Sequence, residues 1–221
     1  MKIREKNQQY LKKNVLEENL CTGCGACVGI CPYQVIYHDR VVQLHACDLT
    51  EGRCYDYCPR TLTDLNGIRA SLFERVELTP EIGAVKGHYF SRALESERCA
   101  AAQNGATVTA LMGLALGEGI IDSAIVASRN RAVGRSGLIV RDRDDLLKNA
   151  GSAFTVSPTV AAFNQLVKQE SGKVGVVATP CQALALAKMK LKPGKEDHAR
   201  MDQLQLVIGL YCGWAFPKKN I

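Results

Sequence analysis

From Val85 onward the apolar positions follow two periods in turn. "NGATVTALMGLALGEG" sets Val108, Leu111, Met112, Ala115 and Leu116 at helical spacing and stops at Gly117 and Gly119. "IIDSAIVA" reads as a buried strand and "GLIV" as a shorter one. The helices "RDDLLKNA" and "SPTVAAFNQLVKQ", the strand "KVGVVA", the helix "PCQALALAKMK" and the strand "LQLVIGLYC" follow. Nearly continuous apolar strands alternating with helices predict a layered α/β domain with a largely parallel sheet.

Before Val85 the pattern changes. "YQVIYHDRVVQL" alternates as a short β-hairpin with its turn near His38-Asp39. From Arg60 to about Tyr89 the pattern is mixed and broken by Pro80 and Gly83, which reads as linker plus a short helix near "GIRASLFERV". The expected division is a small module over 1–60, a linker over 61–84 and the α/β domain over 85–221.

Composition narrows the classes. At 221 residues and 47% hydrophobic content the chain can fill a core. The net charge of +6 is spread out, without a Lys/Arg block interleaved with aromatics. That argues against a nucleic-acid partner and suits an acidic redox partner or an anionic coenzyme. The charged start "MKIREKNQQYLKKN" lacks a signal-peptide core, and no apolar run reaches the roughly 18 residues of a membrane span. A cytoplasmic chain with no membrane span is expected.

Seven of the ten cysteines lie between Cys21 and Cys58. Cys21, Cys24, Cys27 and Cys31 form C-x2-C-x2-C-x3-C-P, the ferredoxin run whose fourth cysteine serves the other cluster of a pair. Gly23, Gly25 and Ala26 are small enough for the backbone to wrap closely. A zinc ribbon would use two separated CxxC pairs, and a disulfide knot would need a secreted chain. Under the ferredoxin crossover, Cys21, Cys24, Cys27 and Cys58 would hold one [4Fe–4S] cluster, and Cys31, Cys47 and Cys54 the other. The second set is one thiolate short, which leaves a three-iron cluster or a ligand such as Asp48, His45 or a distant cysteine.

In a parallel α/β layer, ligands sit beyond the strand C-termini and beside helix N-termini, which singles out "AAQNGAT", "AGSAFTVSP" and "ATPCQ". None matches a Rossmann or Walker A loop. Cys99 reads as a plain thiol. Cys181, at a helix start, and Cys212, at a strand end, read equally as small buried apolar groups.

The blocks "AAQNGATVTALMGLALGEGIIDSAIVA", "NAGSAFTVSP", "KVGVVATPCQALALAK" and "LVIGLYCGWAFP", in this order behind a ferredoxin run, resemble one family. It is that of the beta subunits of coenzyme F420-reducing hydrogenases and formate dehydrogenases, with relatives among sulfite and chlorophyll-derivative reductases. The resemblance implies FAD in the α/β domain. It assigns Gln103, Asn104, Gly105 and Thr107 to the first flavin loop, Ser152, Ser157 and Pro158 to the second, and Thr179, Pro180 and Gln182 to the third. It also implies a cluster near the flavin, with Cys181 and Cys212 standing where two of its ligands would be. Relatives usually continue past the position of Ile221, so a truncated or naturally short form, or a remaining half supplied by another subunit, is expected, and Asn104-Gly105-Ala106 departs from the family's acid followed by two glycines.

The expected function is a flavin and iron–sulfur oxidoreductase subunit, relaying electrons between [4Fe–4S] clusters and FAD and exchanging a hydride with a coenzyme such as F420. Its expected partners are hydrogenase, formate dehydrogenase or other redox subunits and a small redox coenzyme. No protein acid or base is nominated, because the chemistry is the cofactor's. The rival readings are a non-catalytic, polyferredoxin-like electron-transfer subunit and a zinc-stabilised interaction module.

Overall fold

A computed structural model of the chain describes residues 6–72, 78–79, 83–94, 100, 102, 104–128, 137–194, 197–213 and 215. Helix α1 (Gln8–Leu11) begins at Asn7, whose side chain accepts from the Tyr10 N–H at 3.1 Å, and runs on into a π-turn over Lys12–Leu16. Leu11 and Val15, four apart, bury one face of it. The hairpin follows as β1 (Gln34–Tyr37) and β2 (Arg40–Gln43), antiparallel, with His38 at φ +55° in its turn. Helix α2 (Arg53–Tyr57), helix α3 (Leu65–Leu72) and the minimal strands β3 (Leu78–Thr79) and β4 (Gly83–Ala84) complete the first part.

The second part contains α4 (Thr107–Gly117), β5 (Ser123–Ala127), β6 (Gly137–Val140), α5 (Arg143–Lys148), α6 (Thr159–Gln169), β7 (Val174–Ala178), α7 (Pro180–Leu191), α8 (His198–Asp202) and β8 (Leu204–Gly209). The sheet order is β6-β5-β7-β8, parallel at β5/β7 and β7/β8. β6 is antiparallel to β5, so the sheet is mixed, with two of its three strand pairings parallel in line with the largely parallel sheet expected from the sequence. Nine residues separate β5 from β6, fewer than the dozen or so that a crossover to a parallel neighbour takes.

Both sheet faces are covered. Met112 and Ala115 of α4 and Leu146 of α5 pack with Ala124, Val126, Val140 and Val177 on one face. On the other, Val160 and Phe163 of α6 and Ala185 and Leu186 of α7 pack with Ile125, Val174, Val176 and Ala178. β7 is buried along its whole length, which accounts for its unbroken apolar run.

Cys24, Ala26 and Tyr57 belong to the same core cluster as Phe163 and Leu186. The first part is therefore packed into the α6/α7 layer. Within the segment expected to be linker, α3 packs on α7 and the Thr61 hydroxyl donates to the carbonyls of Tyr55 and Cys58, both at 2.8 Å. No helix among the described residues is long and apolar enough to cross a membrane.

Candidate metal centre

The loop from Cys21 to Pro32 is shaped by three glycines in the left-handed region: Gly23 (φ +66°), Gly25 (+85°) and Gly29 (+82°). A Cβ on Gly25 would come within 2.7 Å of the Ala161 Cβ and 2.9 Å of the Pro158 Cβ; one on Gly23 would strike Val156 and the Asp39 carbonyl. The loop thus lies directly on the start of α6 and the segment leading into it.

Cys21, Cys24, Cys27 and Cys58 line a single cleft together with Leu11, Val15 and Leu16. Backbone N–H groups aim at two of the thiols: Val41 donates to Cys21 Sγ and Arg60 to Cys58 Sγ, each at 3.4 Å. Gln34 also lines the cleft, is only 2% exposed, and has no hydrogen-bond partner on either amide atom. A buried amide without partners is costly, so its place is explained by an occupant of the cleft that can accept its N–H.

The thiols point to the same occupant. Burial pushes Cys24 up to about 12, with Cys181, Cys58 and Cys21 adding to the rise against a lowering hydrogen bond from the Ala26 backbone. Burial also lifts Cys27 well above the ordinary thiol value, reinforced by Cys24, Cys58 and Cys21. Cys58 is raised too, chiefly by burial. Several buried sulfurs that repel one another as anions suit a soft, cationic metal centre, which supplies the missing charge. Among the described residues no three His, Cys, Asp or Glu side chains stand close enough together to hold a single metal ion. The donor set and the cleft fit an iron–sulfur cluster.

A second group forms beside the first. Cys54 is pushed up to about 12, chiefly by burial and then by Cys31, with a smaller contribution from Cys47. Asp48 and His45 are both exposed; the His45 ring meets Tyr33 edge-on at 6.0 Å between centroids.

Helices α6 and α7 hold these loops through contacts that periodicity did not single out. Asn164, 3% exposed, donates from Nδ2 to the carbonyls of Ala26 (3.1 Å) and Val28 (2.7 Å), and Lys168 donates to the Gly29 carbonyl. Lys188 of α7 reaches the loop at Cys58, and burial lowers its pKa. Asp197 joins α2 to α8: its carboxylate accepts from Arg53 Nη1 (2.7 Å), Tyr57 Oη (2.9 Å) and Arg200 Nη1 (2.8 Å). The readable signal was a polar residue on an apolar stripe. Asn164 stands four after Val160, and Lys188 three after Ala185.

The three loops from which a flavin site was expected meet only in part. Gln182 Nε2 donates to the Ser157 carbonyl and its Oε1 accepts from the Thr179 N–H at 2.8 Å, so the second and third loops are linked at the start of α7, where Pro180 is the first residue. Asn104 is exposed, while Gly105 and Thr107 bond to the segment before them, through Gly105 O to the Ala93 N–H (2.7 Å) and the Thr107 hydroxyl to Ser91. Ser152 is exposed. Pro158 is fully buried, and its Cβ lies 2.9 Å from where a Cβ on Gly25 would sit. Gln103 and Cys99 lie outside the described residues. Helices α4 and α6 begin without a side-chain cap, and Ala106 at the start of α4 is left-handed at φ +58°.

Cys181 is half-buried at the start of α7, 3.3 Å from the Thr179 hydroxyl, and packs against the core that contains Cys24. Cys212 is exposed. The Leu210 N–H donates to the Ala178 carbonyl at 2.8 Å, so the chain leaves β8 beside the third loop.

Three stretches match family models. Residues 15–37 match a 4Fe-4S binding domain, 89–164 the N-terminal part of coenzyme F420 hydrogenase/dehydrogenase, beta subunit, and 171–221 its C-terminal part. Coenzyme F420 hydrogenase subunit beta of Methanothermobacter thermautotrophicus is 33% identical over 142 residues, 63% of this chain and 50% of that one. Coenzyme F420-dependent sulfite reductase of Methanocaldococcus jannaschii is 25% identical over 225 residues, covering 96% of this chain and 34% of that protein. A chain of the F420-reducing [NiFe] hydrogenase complex from Methanosarcina barkeri superposes with a TM-score of 0.54 at 30% identity, over 60% of this chain and 47% of that chain. The chain spans 34% to 63% of the lengths of the first relatives it matches.

Proposed function

The chain belongs to the coenzyme F420 hydrogenase/dehydrogenase beta subunit family, and from that premise we propose that it is an iron–sulfur flavoprotein subunit of an F420-linked redox complex. Cys21, Cys24, Cys27 and Cys58 hold a [4Fe–4S] cluster in the cleft they line, and Cys31, Cys47 and Cys54 supply a second centre. FAD would be held by Asn104, Gly105 and Thr107, by the Ser152 and Ser157 loop, and by Thr179, Pro180 and Gln182. When bound, the clusters carry single electrons and the flavin couples them to two-electron exchange with F420 or a similar coenzyme.

The observation that carries the reading is the four thiols and the orphaned Gln34 amide on one cleft, placed on the start of α6. The residues of this chain bind, orient and exclude water. The glycines bring the cysteine loop onto α6, Leu11, Val15 and Leu16 line the cleft, and the uncapped N–H groups of α4 offer donors to an anion such as a phosphate.

Anaerobically purified protein is expected to be yellow-brown, to contain iron and acid-labile sulfide, and to release FAD on acid denaturation. Iron and sulfide without flavin would leave the electron-transfer subunit and remove the flavoenzyme. Stoichiometric zinc without broad visible absorption would overturn both.

A further inference from the structure

Lys188 is only 7% exposed, yet it carries a charge into the core of α7. Its Nζ has three acceptors, the Cys58 carbonyl at 2.7 Å, the Thr61 hydroxyl at 2.8 Å and the Leu62 carbonyl at 3.2 Å. Three acceptors match the three donors of an ammonium group. None of them is charged, and among the described residues no carboxylate forms an ion pair with it. A buried cation whose direct partners are all neutral oxygens, with the Asp56 carboxylate acting on it only from beyond ion-pair distance, is costly, and a methionine at this position would pack more cheaply. The group it faces is the backbone of Cys58, whose sulfur borders the cleft and already accepts the Arg60 N–H at 3.4 Å. A cluster with four thiolate ligands is anionic and becomes more so on accepting an electron, so it is the missing counter-charge.

We propose that Lys188 is a charged positioning residue: it fixes the Cys58 loop through its three hydrogen bonds, and its positive charge raises the reduction potential of the cluster that Cys58 ligates. This rests on the iron–sulfur reading of Cys21, Cys24, Cys27 and Cys58. The step concerned is addition of one electron to the cluster, supplied by its redox partner, with no bond made or broken in the protein. The cation stabilises the reduced form more than the oxidised form, and burial shields it from the salt that would screen a surface lysine.

The test is a redox titration of the cluster-loaded full chain, followed by electron paramagnetic resonance with iron counted per chain, for wild type, Lys188→Gln and Lys188→Arg. Lys188→Gln removes the charge and keeps a donor; Lys188→Arg keeps the charge. The expected result is equal iron in all three, a more negative midpoint potential in Lys188→Gln and a wild-type potential in Lys188→Arg. An unchanged potential in Lys188→Gln overturns the proposal. So does loss of iron in either variant, since Lys188 would then serve assembly and not tuning. A wild type without iron would remove the iron–sulfur reading as well, whereas an iron-loaded wild type with an indifferent potential in Lys188→Gln removes this inference alone.

Discussion

Arg53 and Asp197 meet at 2.7 Å across 144 positions of sequence, and through them the helix that ends at Cys58 is tied to the far end of the α/β layer. Tyr57 shares the same carboxylate oxygen, and its own hydroxyl accepts the Gly194 N–H at 3.0 Å. Asp197→Ala leaves two guanidinium groups and a phenol without their acceptor. It should cost about 2–3 kcal/mol, below the range for a fully buried pair because the Arg53 side chain is 36% exposed. Chemical denaturation of the loaded protein measures this.

The same carboxylate gives a pH dependence. Burial alone would raise the Asp197 pKa, but hydrogen bonds from Arg53, Tyr57 and Arg200 outweigh it and hold the carboxyl below its ordinary 3.8. Its contribution is therefore fully present above about pH 4 and is lost as pH falls through the depressed folded value. Stabilities of wild type and Asp197→Asn should differ by a constant amount at neutral pH and converge only below pH 4; a gap that closes near neutrality would refute the assignment.

Asn164→Leu strips the Ala26 and Val28 carbonyls of a buried donor. A loss of about 2 kcal/mol is expected, with a lower yield of bound iron, because both carbonyls belong to the loop between Cys24 and Cys31. Melting curves and iron analysis on the same preparations would check both effects.

Two glycines with similar backbone angles should respond differently. Gly119 (φ +67°) has open space where a Cβ would go, and Gly119→Ala should cost only the left-handed penalty of about 1–2 kcal/mol. Gly25→Ala adds a collision with Ala161 and Pro158 and should cost several kcal/mol more or abolish cluster loading. Equal effects of the two substitutions, by melting temperature and iron content, would sink the packing argument.

Removing the iron should expose a hierarchy of thiol reactivity. In the apo chain at pH 7.5, Cys212 is exposed and should alkylate first, whereas Cys24 and Cys54, each with a pKa near 12, should react only on unfolding. Mass spectrometry of partly alkylated protein resolves the order.

The layered α/β domain was legible because β5 and β7 are buried on both faces and their apolar runs say so. The direction of β6 was not, since four apolar residues read the same either way. The cleft's cysteines were legible from spacing alone. What surrounds them was hidden: Leu11 and Val15 sit among charged residues, α2 has only five residues, and the roles of Asn164 and Lys188 depend on carbonyls 126 or more positions away. Segment boundaries suggested separable units because a linear pattern records each stripe but not which stripe it meets.

The contact of Gly25 with Ala161 and Pro158 also bears on how such a chain can diversify. A ferredoxin that docks and departs can be exchanged for another with a different potential. A cysteine loop seated against a helix with no space for one methyl group cannot, so any retuning of this circuit must be written into the residues around the loop and inherited together with the domain it feeds.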